Sequence, residues 1–217
     1  MTHFIDRAQA RHLAVGALLV VCGLEPAVPR AADAFSRHEW HFDVLLDGKP
    51  IGRHDFIVTD TDDSAEVVSR ARFLVTVLHI PVYRYEHDDH ERWRGGCLVQ
   101  IDATTSDNGR RTRVHGTGAA TAFEVSGPQG TTALSGCVHS FAYWDPQLLM
   151  APRLLNAQTG EYQPVHVARA PDAAAGQHYH LDGKHLHIEL WYGARGEWRA
   201  LESRTADGRT LRYEIHS

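Results

Sequence analysis

Lysine is almost missing from this chain: only Lys49 and Lys184 occur in 217 residues. Basic side chains number 22 against 27 acidic ones, a net charge of −5, so no overall positive field gathers phosphate backbones, which argues against a nucleic-acid partner. Cysteine is scarce at three, too few for a disulfide-built miniprotein. After the amino terminus no window approaches the roughly twenty apolar residues that a helix needs to cross a bilayer, so the mature chain is expected to carry no transmembrane span. There is no HExxH, and His115-Gly116-Thr117-Gly118 is too short for a phosphate loop. No catalytic residues assemble into a recognisable motif, and the chain is not assigned to an enzyme class. What is plentiful is histidine, at 16 residues, and apolar side chains at 43%, enough for one domain to bury a core.

The first 34 residues are expected to be a signal peptide rather than structure. Arg7, Arg11 and His12 precede the apolar run Leu13 to Leu24, which Glu25 and Pro26 end before it could span a membrane, and Ala32-Asp33-Ala34 is a small-x-small cleavage pattern. The mature chain would begin near Phe35 and be periplasmic. A competing reading takes Cys22 as a lipid-anchored cysteine, disfavoured because Val21 before it is not small. Export leaves Cys97 and Cys137 as an even pair, read as a disulfide in an oxidising compartment. The alternative makes Cys137 a thiolate nucleophile with His139, two residues on.

From Ser36 to about Val138 apolar residues alternate with the period of strands, punctuated by turns every ten to twelve residues or so. Trp40, Phe42, Val44 and Leu46 share one parity; Val67, Phe73, Val75 and Val77 share another. The expected fold class is all-β with one or two short helices: residues 35–217 as a single domain, a curved antiparallel sheet or open β-barrel of sequential hairpins. An insertion at about 140–162 interrupts it. There Asp145 and Pro146 mark an N-cap and first helical position, with Pro152 limiting the helix to about two turns. Phe141, Tyr143, Trp144, Leu148 and Leu149 in this insertion are candidate ligand-binding residues. They form either a plug in the sheet or a lid over an apolar cavity.

Turn chemistry sets the register of two hairpins. For residues 198–215 a three-residue loop, Ala206-Asp207-Gly208, pairs Tyr213 with Leu201 and Leu211 with Ser203. For residues 177–192 a two-residue Asp182-Gly183 turn places Tyr179, Leu181, Leu186, Ile188 and Leu190 on one apolar face. The other face then holds His180 opposite His185 and His178 opposite His187. Cross-strand neighbours lie about 4.5–5.5 Å apart at Cβ, so His178, His180, His185 and His187 are candidate ligands for zinc or copper, or else a solvated sheet face. The run His87-Asp88-Asp89-His90-Glu91 splits between two strand faces and is read as a solvated edge or loop.

The block CVHSFAYWDPQLLMAPRLLNAQTGEY resembles the signature of a family of exported proteobacterial proteins defined as a domain of unknown function. The opening FDVLLDGKPIGRHDF and the ending WYGARGEWRALESRTADGRTLRYEI look like the same family, so the resemblance covers most of residues 38–216. Both ends are also similar to periplasmic lipoprotein-carrier half-barrels, in which a curved sheet wraps a helix. That likeness implies the fold and, by analogy, a cavity for a hydrophobic small molecule or lipid. It carries no catalytic residues and implies no cofactor. Metal or metal-dependent chemistry at the histidines is the alternative, and a structural or interaction module is the third reading.

Overall fold

The computed structural model describes residues 35–118, 121–171 and 176–216. The expected signal peptide and the Cys22 alternative lie outside the described residues. Strands β1 (Ser36–Leu46), β2 (Lys49–Asp60), β3 (Ser64–Val77), β4 (Ile80–Arg94), β5 (Cys97–Asp107), β6 (Arg110–Gly118), β7 (Phe123–Gly127) and β8 (Gly130–Leu134) follow one another as hairpins. A crossover segment then holds the short strands β9 (Arg153–Leu155) and β10 (Tyr162–Pro164), which pair with each other as a second, two-stranded sheet, Leu155 also bridging Ser140. Hairpins resume with β11 (His166–Arg169), β12 (Gln177–Gly183), β13 (Leu186–Tyr192), β14 (Trp198–Arg204) and β15 (Thr210–Ile215).

Thirteen strands make one antiparallel sheet because β15 pairs with β1, with Val44 opposite Tyr213. Among the described residues no ladder joins β8 to β11, so the sheet stays open between them. Side-chain alternation explains how it curls. Phe42, Val44, Phe56, Phe73, Leu181, Leu190 and Trp198 point to one face and bury against Leu148 and Leu154 of the crossover. Val58, Val67, Ile101, Val114 and Val125 point to that face from the other flank and bury against Val138 and Leu155. Both flanks pack on the same segment, so the sheet wraps around it as an open barrel. The close approach of β2 to β3 requires glycine at one point: at Gly52, φ 154°, a Cβ would strike the Arg72 carbonyl.

The crossover differs from the expected two-turn helix. A single 3-10 turn, Pro146–Met150, replaces it, capped as expected by the Asp145 side chain, which accepts the Gln147 N–H at 2.9 Å. Pro146 and Gln147 press against Gly196 and Gly96, the turns at one end of the barrel. Tyr192 fixes the segment from the wall by donating its hydroxyl to the Tyr143 carbonyl at 2.9 Å. No α-helix occurs among the described residues, because the apolar positions here serve packing on three sides rather than one helical stripe.

The register of β14 and β15 is the one expected, Leu201 opposite Tyr213 and Ser203 opposite Leu211. That of β12 and β13 is not. The turn lies at Lys184-His185, with Gly183 opposite Leu186, so His180 faces Glu189 and Asp182 faces His187. The displacement preserves parity, and Leu181, Ile188 and Leu190 still face the core. Its physical reason is pairing: the adopted register sets imidazoles against carboxylates, whereas the expected one set His180 against His185 and His178 against His187.

Cys97 and Cys137 form a disulfide, closing a loop of 40 residues and tying the start of β5 to the entry of the crossover. His139 Nε2 lies 3.4 Å from Cys137 Sγ, but that sulfur is spent in the bond, so it is no thiolate nucleophile. Replacing both cysteines with alanine should remove about 3–4 kcal/mol of stability, the chain-entropy value for such a loop, with the fold retained. Denaturant unfolding midpoints of the wild type and the double variant, compared at equal m-value, check this.

Candidate functional site

The wrapped sheet does not fill its interior. A cavity of about 650 Å³ remains, bounded by β2, β3, β4, β13, β14, β15 and the crossover. Small residues make the room. Ser69 and Ala71 on β3 face Asp89 and His87 on β4, and Ala103 on β5 faces Asp89 from the other side. Phe56, Phe73, Tyr85, Phe141, Tyr143 and Trp144 supply an aromatic lining. Phe73 and Tyr85 stack at 5.2 Å between centroids. Of the crossover candidates, Phe141, Tyr143 and Trp144 line the cavity, whereas Leu148 and Leu149 do not: Leu148 is buried in the core and Leu149 packs against it. The segment is thus plug at its 3-10 turn and wall at its aromatic stretch.

On one side the cavity is walled by the crossover, through Ser140, Phe141, Ala142, Tyr143 and Trp144 and through Asn156, Ala157 and Gln158. It also reaches the loop end of the barrel, where Val75, Val82, Arg204, Asp207 and Arg209 line it. The β3–β4 turn there is apolar and exposed, with Val77, Leu78 and Ile80 at 56%, 88% and 64% exposure. Leu78 and His79 turn the chain with φ of 49° and 67°, a left-handed conformation costly for side chains of this size.

Deeper in, β4 presents His87, Asp89 and Glu91, all buried. The expectation of a solvated edge for residues 87–91 is therefore corrected: strand alternation turns Asp88 and His90 outward and the other three inward. The signal was present in the sequence, since Tyr85 and Trp93 share the parity of His87, Asp89 and Glu91, and aromatic residues at both ends of a parity mark the inner face. His87 Nδ1 meets Thr105 Oγ1 at 2.9 Å, and His54 meets Ser69 Oγ at 2.7 Å and the Tyr213 hydroxyl at 3.3 Å. Burial holds both imidazoles neutral, lowering His87 to about 4 and His54 well below the usual histidine value.

Glu91 accepts the Trp93 indole N–H at 2.8 Å and a bond from the buried Ser140. Asp89 lies against Glu91 within hydrogen-bonding reach and takes the His90 backbone N–H, yet among the described residues no donor reaches its Oδ1. Burial first, and then the Glu91 charge, raise Asp89 well above the ordinary carboxylate value; burial also raises Glu91, against the bonds from Ser140 and Trp93. Two carboxyls so placed resist ionising together.

The histidines of β12 and β13 lie on the opposite, outer face. His178 Nε2 and His180 Nδ1 approach Glu189 at 2.6 and 2.8 Å, and His187 bridges Glu189 at 3.0 Å and Asp182 at 2.6 Å. His178, His180 and Glu189 bring one donor atom each within 4.8 Å of one another. His185 is not among them, because the shifted register puts it in the exposed turn. Glu189, absent from the expected set, stands at the centre instead. Burial would raise its carboxyl, and the bonds from His180 and His178 outweigh that and lower it.

Residues 42–216 match the family defined as a domain of unknown function, DUF6134. The chain belongs to that family. The cavity, the buried carboxyls and the outer histidines of this DUF6134 chain all fall inside the matched span. Among solved structures it is similar to the beta-barrel-like protein of domain of unknown function DUF1849 from Brucella abortus, with a TM-score of 0.58 and 12% identity over 83% of this chain and 96% of that one. At that identity the likeness concerns the barrel fold alone. Among curated proteins no match is found.

Unfolded, Asp89 releases its proton near the ordinary value of about 3.9, whereas folded it holds the proton to well above that. The native state binds the extra proton in between, so this group makes stability fall as pH rises. His87 acts oppositely: the unfolded state protonates first, and stability is lost as pH drops from about 6.5 toward 4. Asp89→Asn removes the first trend and keeps the second. Its melting temperature relative to wild type should rise from pH 5 to pH 8, reaching a gain worth about 1–3 kcal/mol. A pH-independent difference in thermal unfolding curves would mean that Asp89 ionises as it does in water.

Proposed function

We propose that this DUF6134 protein is an exported, periplasmic binding protein that carries a hydrophobic, lipid-like ligand in the concavity of its barrel. The observation that carries the reading is the cavity of about 650 Å³, lined in the main by aromatic and aliphatic side chains, with polar groups gathered around Asp89 and Glu91 and at the loop end. Ligand sites of about 300–1,000 Å³ have that composition. The apolar β3–β4 turn beside the open end supports it, since an apolar lip lowers the cost of passing a chain from a lipid phase into the protein. The disulfide supports export to an oxidising compartment. No helix among the described residues is long and apolar enough to cross a membrane.

Native mass spectrometry of protein purified from the periplasm should reveal a co-purifying apolar mass, and a polarity-sensitive fluorophore such as N-phenyl-1-naphthylamine should bind with a blue-shifted emission. Val75 lines the open end and is only partly buried, so Val75→Trp narrows the entrance without touching the core. Fluorophore affinity should fall about tenfold or more, the equivalent of about 1.4 kcal/mol. Unchanged affinity in a folded Val75→Trp protein, with no co-purifying mass, would end the carrier reading.

A second reading concerns the outer face and rests on the donor geometry of His178, His180 and Glu189. Two imidazoles and a carboxylate, with a fourth position open, suit zinc or copper. Zinc should raise the melting temperature of the wild type. His178→Ala and His180→Ala should abolish the rise, whereas His185→Ala should leave it intact; an equal rise in all four proteins would assign the metal elsewhere.

A further inference from the structure

We propose that the ligand carried in the cavity is an amphiphile with a cationic, hydrogen-bond-donating head, a primary ammonium in its simplest form, seated against Asp89 and Glu91. The inference rests on the carrier reading and adds the chemistry of the head. It begins with a local conflict. An apolar enclosure built from Phe56, Phe73, Tyr85 and Tyr143 has no structural use for two neighbouring acids, and burying them costs free energy that packing residues would not.

The donors and acceptors around the pair do not balance. Glu91 receives the Trp93 indole and Ser140, and Asp89 receives a backbone N–H, while among the described residues Asp89 Oδ1 is met by no donor although Asp89 is only 7% exposed. Two carboxyls in contact resist ionising together, and the first to ionise brings a negative charge to the pair. Among the described residues no cation of the inner wall answers it. The other titratable groups beside it are His87 and His54 on the cavity side and Asp102 of β5, and both imidazoles are held neutral by burial. The lining cations are Arg204 and Arg209 at the loop end, where Arg209 is already bound to Asp47 at 2.8 Å.

Charge and donor count therefore select the same head. An ammonium supplies three N–H donors and a positive charge, and in a water-poor site each of its bonds to a carboxylate is stronger than a neutral one. An alcohol supplies one donor and no charge. A carboxylate supplies neither and would bring a further negative charge to the pair. The depth is also right for an amphiphile. Asp89 lies nine positions along β4 from Ile80 at the turn, about 30 Å of extended chain, so a head at Asp89 leaves its tail along Phe73 and Tyr85 toward the apolar lip.

The test uses three ligands that differ only in the head: dodecylamine, dodecanol and dodecanoate. Each displaces N-phenyl-1-naphthylamine from the full-length protein at pH 7 and about 0.15 M salt, where the net charge is screened beyond about 8 Å. Dodecylamine should bind about tenfold more tightly than dodecanol, with dodecanoate weakest. Asp89→Asn and Glu91→Gln should each remove most of the amine's advantage over dodecanol, and the wild-type ranking alone decides the matter if either variant fails to fold. Equal affinities, or a preference for dodecanoate, would overturn the head assignment while the carrier reading stood. Displacement by none of the three would overturn both.

Discussion

The ladder between β1 and β15 is what turns two series of hairpins into one enclosure. Without it, β1 to β8 and β11 to β15 would be separate sheets, each with an apolar face open to water. With it, Tyr213 of β15 comes beside His54 and Phe42, and Phe42 meets Trp198 at 4.4 Å. The ladder joins residues more than 160 positions apart, so it forms only once both halves exist. The crossover then has a concave wall to pack on, and Leu148, Leu154 and Leu155 lose essentially all exposure.

Much of this was legible in the sequence because antiparallel strands write their faces in a period of two. The all-β class, the 198–215 register, the disulfide and the Asp145 cap all followed from local rules. What local rules could not supply was the choice between turns of equal plausibility. Asp182-Gly183 is a strong turn dipeptide, yet the chain turns two residues later, because the energy of imidazole-carboxylate pairs along the strands exceeds the preference of the turn. The 87–91 run failed for a different reason. A string of charged residues reads as surface unless the flanking aromatics are included in the same parity count, and Tyr85 and Trp93 lie outside the charged run itself.

The buried acids also show how a barrel differs from a filled core. In a packed sandwich, Asp89 and Glu91 would meet apolar side chains from a facing sheet and their desolvation would be uncompensated. Here Ser69 and Ala103 flank Asp89, so its carboxyl borders the cavity rather than carbon, while Glu91 lies between Val67 and Ile101 and is met by Trp93 and Ser140. Each element of β4 obeys its own propensity while the sequence departs from an apolar inner face at these positions. Departures of that kind, in a wall otherwise consistent from strand to strand, are where a protein gives up stability for a site.

Parity places the two candidate sites on opposite faces of one sheet, and this separates their chemistry. Tyr83, Tyr85, His87, Asp89 and Glu91 of β4 look into the cavity, whereas His178, His180, His187 and Glu189 look outward from β12 and β13 behind Leu181 and Ile188. A metal on the outer cluster would therefore contact no ligand inside, and could act on the cavity only through the β12–β13 hairpin. That route is short: Ile188 and Leu186 line the cavity and alternate along β13 with His187 and Glu189. Rigidifying the outer face of the hairpin would thus hold one cavity wall, a coupling through backbone rather than through shared atoms.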